Sequence, residues 1–431
     1  MTSIVIIGAG PMGLAAAHYA CQAGLDVTVV ESDDRPGGMA AHFDFGGLSL
    51  ERFYHFCCRS DIDTLGLLKE LDIEQSMQWV STKMGYFVDG KLYQFGDPLS
   101  LLKFTPLSLI EKIRYGLMVF TSTRRTNWSK LDKITARTWI TRWCGQRAYE
   151  KLWKPLLHLK FYEFTDDISA AWMWQRINRL GRSRRSLFSE ELGYLEGGTQ
   201  TLVDKLTESI LNKGGVIRYK APVKHIVANG QQVTGVETND GELIRADLVF
   251  STAPLPYVSS MVARDMPQLQ SGYQAMNNVG VICVIHKLAR PVSNYFWVNV
   301  SDDSMKIPGF VEFSNLRPMD KSIVYVPYYM PSSNPKFKWS DEALLEESFG
   351  YLMRINPDLS PEDRLDSHVA RLRHAQPVCH TEFKKSIPEL KTPVAGLWIA
   401  DTSYYYPEDR GVSESIRFAR QTIDTLANSP A

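Results

Sequence analysis

The chain has 431 residues, 44% hydrophobic and 22% charged, and its 48 basic and 48 acidic side chains give a formal net charge of zero. This composition is ordinary for a soluble globular protein; it excludes a collagen, a disordered tail and a multi-span membrane protein, and argues against generic nucleic-acid binding. The length allows a large core and, at ~150 residues per domain, two or three domains. The zero charge is a sum of unequal parts. Lys103 to Arg185 holds 18 Lys/Arg against 6 Asp/Glu, a net of +12, so the remainder carries −12. That window also holds six of the ten tryptophans: Trp128, Trp139, Trp143, Trp153, Trp172 and Trp174.

From the N-terminus, Ser3 to Ala20 is uncharged and about long enough to span a bilayer. It has no basic n-region or cleavage site and carries three spaced glycines, so it reads as neither signal peptide nor membrane helix. Ile4 to Ile7 is a short β-branched run of the kind a buried parallel strand shows. Gly8-Ala-Gly10-Pro11-Met12-Gly13 follows at once, then a helix over Leu14 to Ala23, and then a second strand over Val27 to Val30 that closes on Glu31. The physics of this unit is specific. Gly8 permits a tight turn, Gly10 lets backbone approach a pyrophosphate, and Gly13 lets helix and strand pack closely. The helix N-terminus offers unpaired N–H groups to phosphate. Glu31 is placed to accept from a ribose 2′-OH, and its charge argues against NADP as this nucleotide.

Ser32-Asp-Asp-Arg35-Pro-Gly37-Gly38-Met39 comes next, and then Glu51-Arg-Phe53-Tyr54-His55-Phe-Cys57-Cys58. Neither the adjacent cysteines nor Cys21, Cys144, Cys283 and Cys379 show disulfide or metal spacing. They read as reduced thiols of a cytoplasmic protein, with no metal site. Thr105 and Pro106 suggest an N-cap and first position of a helix. Its stripe of Leu109, Ile113, Leu117 and Phe120 reads as core contact of a helical lobe; the alternative is peripheral contact of 105–125 with an anionic bilayer. The cluster Arg176, Arg179, Arg182, Arg184 and Arg185 points to an anionic partner, a substrate phosphate or lipid headgroup, or to a solvated face.

Further on, Glu196-Gly-Gly-Thr-Gln200 precedes a helix over Thr201 to Asn212, then Val216 to Tyr219 and Ala221-Pro-Val223. Ala246 to Pro254 is a strand whose end carries Thr252 and Ala253. Arg371 to Val378 holds Arg373, His374 and Gln376. Gly396 to Asp401 is a strand delivering Asp401 at its C-terminal end, where open α/β sheets bind ligands. Tyr404-Tyr-Tyr406 and Asp409-Arg410-Gly411-Val412 close the motif-bearing part.

Taken in this order, the segments resemble those of the FAD-dependent amine oxidase, protoporphyrinogen oxidase and phytoene desaturase clan, to which the UDP-galactopyranose mutases are related. The resemblance implies an α/β fold: a Rossmann-like FAD lobe interleaved with an α+β substrate lobe, as in p-hydroxybenzoate hydroxylase. The FAD lobe is expected from 1–75, 195–265 and 366–431, and the substrate lobe from 76–194 and 266–365. FAD is expected to be non-covalent. Gly8, Gly10, Pro11, Met12, Gly13, Glu31, Ser32, Arg35, Gly37, Gly38 and Met39 would hold its nucleotide and pyrophosphate, and Val223 would bracket the adenine. Phe53 and Tyr54 would pass the flavin ring, with Thr252 and Ala253 at the sheet end. Asp401 would accept from the ribityl chain, and the helix start at Asp409, Arg410, Gly411 and Val412 would face the N1/O2 edge.

The resemblance is imperfect where the mutases carry Gly-x-His-x-Phe-His: His55 matches the first histidine, but Phe53 replaces the glycine and Cys58 the second histidine. Candidate catalytic residues are His55, Tyr404, Tyr406 and His374, with His55 equally readable as a core histidine and the tyrosines as packing. Arg176, Arg373 and Gln376 are substrate candidates. The resemblance implies an enzyme passing hydride from a substrate C–H or C–N bond to the flavin. Its partner would be a small molecule, phosphorylated or lipid-linked if the basic window serves it, with no nucleic acid. The alternatives are non-redox mutase chemistry on a nucleotide or phosphorylated sugar, and a non-catalytic flavin protein that docks a membrane or partner.

Overall fold

The computed structural model describes residues 1–186 and 189–427. At its centre is a five-stranded parallel sheet in the order Val216–Arg218, Asp26–Val30, Ser3–Ile7, Leu248–Ser251, Leu397–Ile399. The register pairs Ile4 with Val27 on one side and with Leu248 on the other. Alternate residues of the first strand enter two different cores. Ile4 and Ile6 pack with Leu14, Leu202 and Ile416, from the helices Pro11–Gln22, Gln200–Asn212 and Val412–Ala427. Val5 and Ile7 belong to the core that includes Ile226, Val233 and Val236 of a small antiparallel sheet. Burial on both faces is why these strands are β-branched without polar alternation.

A second, seven-stranded sheet runs in the order Arg364–Pro377, Asn278–Leu288, Ser322–Met330, Gly309–Glu312, Trp297–Ser301, Met84–Val88, Lys91–Phe95. The strand Arg364–Pro377 lies wholly in this sheet and pairs antiparallel with Asn278–Leu288. The boundary expected at 365/366 therefore falls inside a strand, and the chain leaves the second sheet only after Pro377.

A helical layer covers the basic window: Pro98–Lys103, Leu109–Ser122, Ala136–Cys144, Lys154–Phe161 and Ala170–Arg182. Trp139, Trp172 and Trp174 are core side chains here, so these tryptophans build the layer instead of facing solvent. Two expectations about its second helix are corrected. It starts at Leu109, not Pro106, because Ser108 and Glu111 form a capping box in which Glu111 Oε2 accepts from the Ser108 N–H at 2.7 Å. Its stripe is not core contact either: Leu109 is 62% exposed, Ile113 54%, Leu117 50% and Phe120 50%. Among the described residues no helix is long and apolar enough to cross a membrane.

Candidate cofactor and substrate site

The turn after the first strand is built as its residues require. Gly8 has φ +99°, and a Cβ there would stand 2.8 Å from Thr252 Oγ1. That hydroxyl donates to the Ile7 carbonyl at 2.8 Å, so Thr252 buttresses the turn from the neighbouring strand. A Cβ on Gly13 would run into the Gly8 carbonyl. Beside Gly10 the space is open, and Gly10 gives the following helix no side-chain cap. First-turn N–H groups are thus left for an anion, with Pro11 at the helix start and Met12 buried behind it.

The second glycine pair completes the cradle. The Gly37 N–H donates to the Ala9 carbonyl at 2.8 Å, and a Cβ on Gly38 would stand 3.1 Å from Gly10 Cα. Glu31 is buried and held in place: Oε2 accepts from the Ala9 N–H at 2.7 Å, and Oε1 from Ser32 Oγ at 3.0 Å and the Asp33 N–H at 2.8 Å. Arg35 pairs with Asp34 at 2.7 Å and donates to the His42 carbonyl at 3.1 Å, which ties the loop to the strand that follows. Val223 begins the strand Val223–Asn229. An open glycine face over a bare helix N-terminus, with a fixed carboxylate at the end of the second strand, fits the ADP half of FAD.

The cradle adjoins a cavity of about 790 Å³ whose wall includes Met39, Phe53, Tyr54, His55, Gly411 and Val412. Burial pushes His55 down to about 4, leaving its imidazole neutral at pH 7, and its Nδ1 has no partner among the described residues. Tyr54 stands edge-on to Trp297 and Tyr325, at 5.5 and 5.8 Å between ring centroids. Glu414, in the first turn of the helix Val412–Ala427, presents Oε2 at the place a Gly411 Cβ would take; burial pushes this carboxyl up to about 7. Arg176, the first of the expected basic cluster, forms an ion pair with Asp409 on the cavity wall. Arg410 donates to Gln376 Oε1 at 2.5 Å and to the Tyr329 hydroxyl at 3.1 Å.

Other expected residues stand elsewhere. Tyr406 donates to Asp132 at 2.5 Å, lies 2.6 Å from Ser169 Oγ and packs on Phe383 and Trp128, outside the cavity wall. Tyr404 is half-buried against Phe418, and His374 sits edge-on to Tyr257 at 4.6 Å; neither lines the cavity. Arg373 is exposed. Asp401 is buried and acts as a cap: Oδ2 accepts from the Leu255 N–H at 3.0 Å and Oδ1 from the Ser403 N–H at 2.8 Å. The rest of the basic cluster divides. On the cavity wall, Arg179 makes a two-point contact with Asp61 at 2.7 and 3.1 Å and Arg184 donates to the Gly96 carbonyl; Arg182 is exposed, and the Arg185 side chain lies outside the described residues.

Sequence reasoning missed Lys160, Glu190, Tyr329 and Glu414, all of which line the cavity. Their spacing carries no signal, since four distant elements bring them together. Glu190, like Glu414, is pushed up to about 7 by burial.

Residues 13–386 match the model of the flavin containing amine oxidoreductase family, and the chain belongs to that family. It is 26% identical over 278 residues to the 15-cis-phytoene desaturase of Synechococcus elongatus, covering 58% of each chain. To the flavin-containing amine oxidase B of Sus scrofa it is 24% identical over 271 residues, covering 58% of this chain and 50% of that one. The chain thus spans about half the length of these curated relatives. In fold it is similar to reduced UDP-galactopyranose mutase, with a TM-score of 0.75 at 16% identity over 99% of this chain and 94% of that one. The architecture is the FAD-binding fold of amine oxidase-type flavoproteins.

Proposed function

We propose that the protein is an oxidoreductase with non-covalent FAD, acting on a small molecule held in the 790 Å³ cavity. The observation that carries this reading is the cradle itself: Gly8, Gly10 and Gly13 joined through Ala9 to Gly37, with Glu31 locked beside them. When bound, FAD would supply the acceptor for a hydride from a substrate C–H or C–N bond. The chain's own residues do the rest. The bare N-terminus of the helix Pro11–Gln22 holds the pyrophosphate, and Glu31 accepts from the ribose. Neutral His55 offers the cavity a hydrogen-bonding nitrogen without a charge, which orients a substrate and leaves proton transfer to groups that titrate near neutrality. Glu414 and Glu190 are the two cavity carboxyls pushed into that range. Aromatic and aliphatic walls exclude water.

Anaerobic titration of the purified holoenzyme with a panel of amines, polyenes, porphyrinogens and nucleotide sugars tests this reading: one class should bleach the flavin band. If none does, and turnover of a nucleotide sugar appears only after prior reduction with no net redox change, the second reading holds instead. That reading is a non-redox mutase, and the cations lining the cavity favour it. We further assign the exposed face of the helix Leu109–Ser122 to the surface of an anionic bilayer. Its apolar residues are accompanied by Lys112 and flanked by Lys103 and Arg124, the pattern of a helix lying in the headgroup plane, while Arg114 donates to the carbonyls of Arg142 and Trp143. The protein would then be cytoplasmic and peripheral on the inner membrane face.

A further inference from the structure

Three cations converge on two aromatic rings in the cavity wall. Lys160 Nζ lies 5.0 Å from the ring centroid of Trp172 and 4.9 Å from that of Tyr329. The Arg176 guanidinium shares Trp172 at 5.0 Å, and that of Arg410 shares Tyr329 at 5.4 Å. One carboxylate, Asp409, stands among them and pairs with Arg176. Among the described residues no carboxylate lies within ion-pair distance of Lys160 Nζ or of the Arg410 guanidinium. Asp409 Oδ1, buried, is itself without a hydrogen-bond partner. With Lys160 protonated, three positive charges face the one carboxylate in a site walled by rings, where charge is weakly screened. Burial, reinforced by the charges of Arg176 and Arg410, holds Lys160 well below the ordinary lysine range. An incoming anion would relieve that cost.

One stretch of the wall is apolar, while Asp61 with Arg179, Arg184, Glu190 and Glu414 stand on other parts of it. Tyr115, Val119, Phe120, Leu152 and Leu156 line the apolar stretch, without a charge among them. Phe120 is half exposed while forming part of the wall, so the cavity reaches the surface at the apolar face of the helix Leu109–Ser122.

We propose that this cavity takes an anionic amphiphile, its phosphate or carboxylate headgroup held by Lys160, Arg176 and Arg410 and its apolar chain lying along the wall toward Phe120. This deepens the proposed function, on which it rests, by naming the substrate class. Neither a cationic amine nor an uncharged hydrocarbon uses the three cations.

The test is binding of decyl phosphate, decanoate, decylamine and decanol to the FAD-loaded protein below their micelle concentrations, read by tryptophan fluorescence and the flavin absorbance band. Decyl phosphate should bind at least ~10-fold more tightly than decanol, and decylamine should bind more weakly than either, as expected for charge-assisted hydrogen bonds in a poorly solvated site. The phosphate and decanoate arms identify the headgroup. Lys160→Met should weaken decyl phosphate binding far more than decanol binding and so remove most of the preference for the anion; Lys160→Arg should restore it. Equal or tighter binding of decylamine by the wild-type protein overturns the proposal without any variant. So does UDP-galactose binding that does not compete with decyl phosphate or that exceeds it. Loss of FAD from Lys160→Met with the headgroup preference intact would assign the cluster to the cofactor and also overturn it. A protein that holds FAD but shows no headgroup preference defeats this inference alone; one that holds no FAD defeats the functional reading.

Discussion

Gly13 lets the first helix sit against the Gly8 carbonyl, and any side chain there must displace backbone. Gly13→Val should therefore open the turn and abolish FAD retention, with flavin absorbance per chain at least ~10-fold below wild type. That loss corresponds to the 1–3 kcal/mol or more typical of overpacking at a tight contact. Glu414 gives a prediction about pH. Its folded-state value of about 7 lies above the ordinary carboxyl value of 4.5, and burial is the main cause. A raised value means the folded protein binds this proton more tightly than the unfolded chain does. The stabilising contribution is complete below about pH 4.5 and is lost as pH rises through about 7. Measured against Glu414→Gln, which stays neutral, wild-type Tm should be level near pH 4.5 and lower near pH 8. A difference that is flat with pH would remove Glu414 from the set of groups titrating near neutrality.

At the scale of elements, the helix Leu109–Ser122 separates what sequence pattern can tell from what it cannot. Its periodicity was plain, but the same apolar stripe serves a core or a surface, and only the tertiary fold decides which. Pro106 is a strong helix-opening signal, yet the local capping box of Ser108 and Glu111 determines where the helix starts. That box was readable: Ser followed three residues later by Glu is its signature. Ser108→Ala should cost about 1 kcal/mol, while Thr105→Ala, whose hydroxyl donates to the Tyr93 hydroxyl and caps no helix N–H among the described residues, should cost nothing measurable. Thermal or denaturant unfolding of the two variants distinguishes the caps. On the exposed face, Ile113→Glu with Leu117→Glu should leave Tm within about 1–2 °C of wild type, because both residues already meet solvent. The same pair should reduce sedimentation with phosphatidylglycerol vesicles at least ~10-fold, since each loses about 1.5–3 kcal/mol of apolar transfer. Binding unaffected by these charges would contradict the assignment of this helix face to the bilayer.

Across the whole molecule, legibility followed sequence separation. The unit from Ile4 to Glu31 and the Gly37–Gly38 pair were readable because each glycine answers a local backbone demand. The order of segments along the chain then implied two interleaved lobes, and the parallel sheet does draw its strands from the N-terminal, middle and C-terminal stretches. The substrate side was not readable. Lys160 is one of 18 cations in the basic window, and nothing in its neighbourhood along the chain distinguishes it. Tyr329, Asp409 and Arg410 gather around it from two distant segments, and Trp172 from the helix Ala170–Arg182. Tyr404, Tyr406 and His374 lie off the cavity wall for the converse reason: nearness to a motif in sequence does not bring their side chains into the cavity. The +12 window divides in the same way, into ion pairs such as Arg179 with Asp61 on the cavity wall, a solvent-facing membrane candidate, and the charges that gather about Trp172 and Tyr329.

The account depends most on the claim that the glycine cradle and Glu31 hold FAD without a covalent bond. Heat denaturation of the purified protein, followed by absorbance and chromatography of the supernatant, measures this directly. The structure predicts flavin bands before denaturation and FAD released in a one-to-one ratio to chain, with none remaining on the precipitated protein. A protein that purifies without flavin and does not take up added FAD would contradict the account.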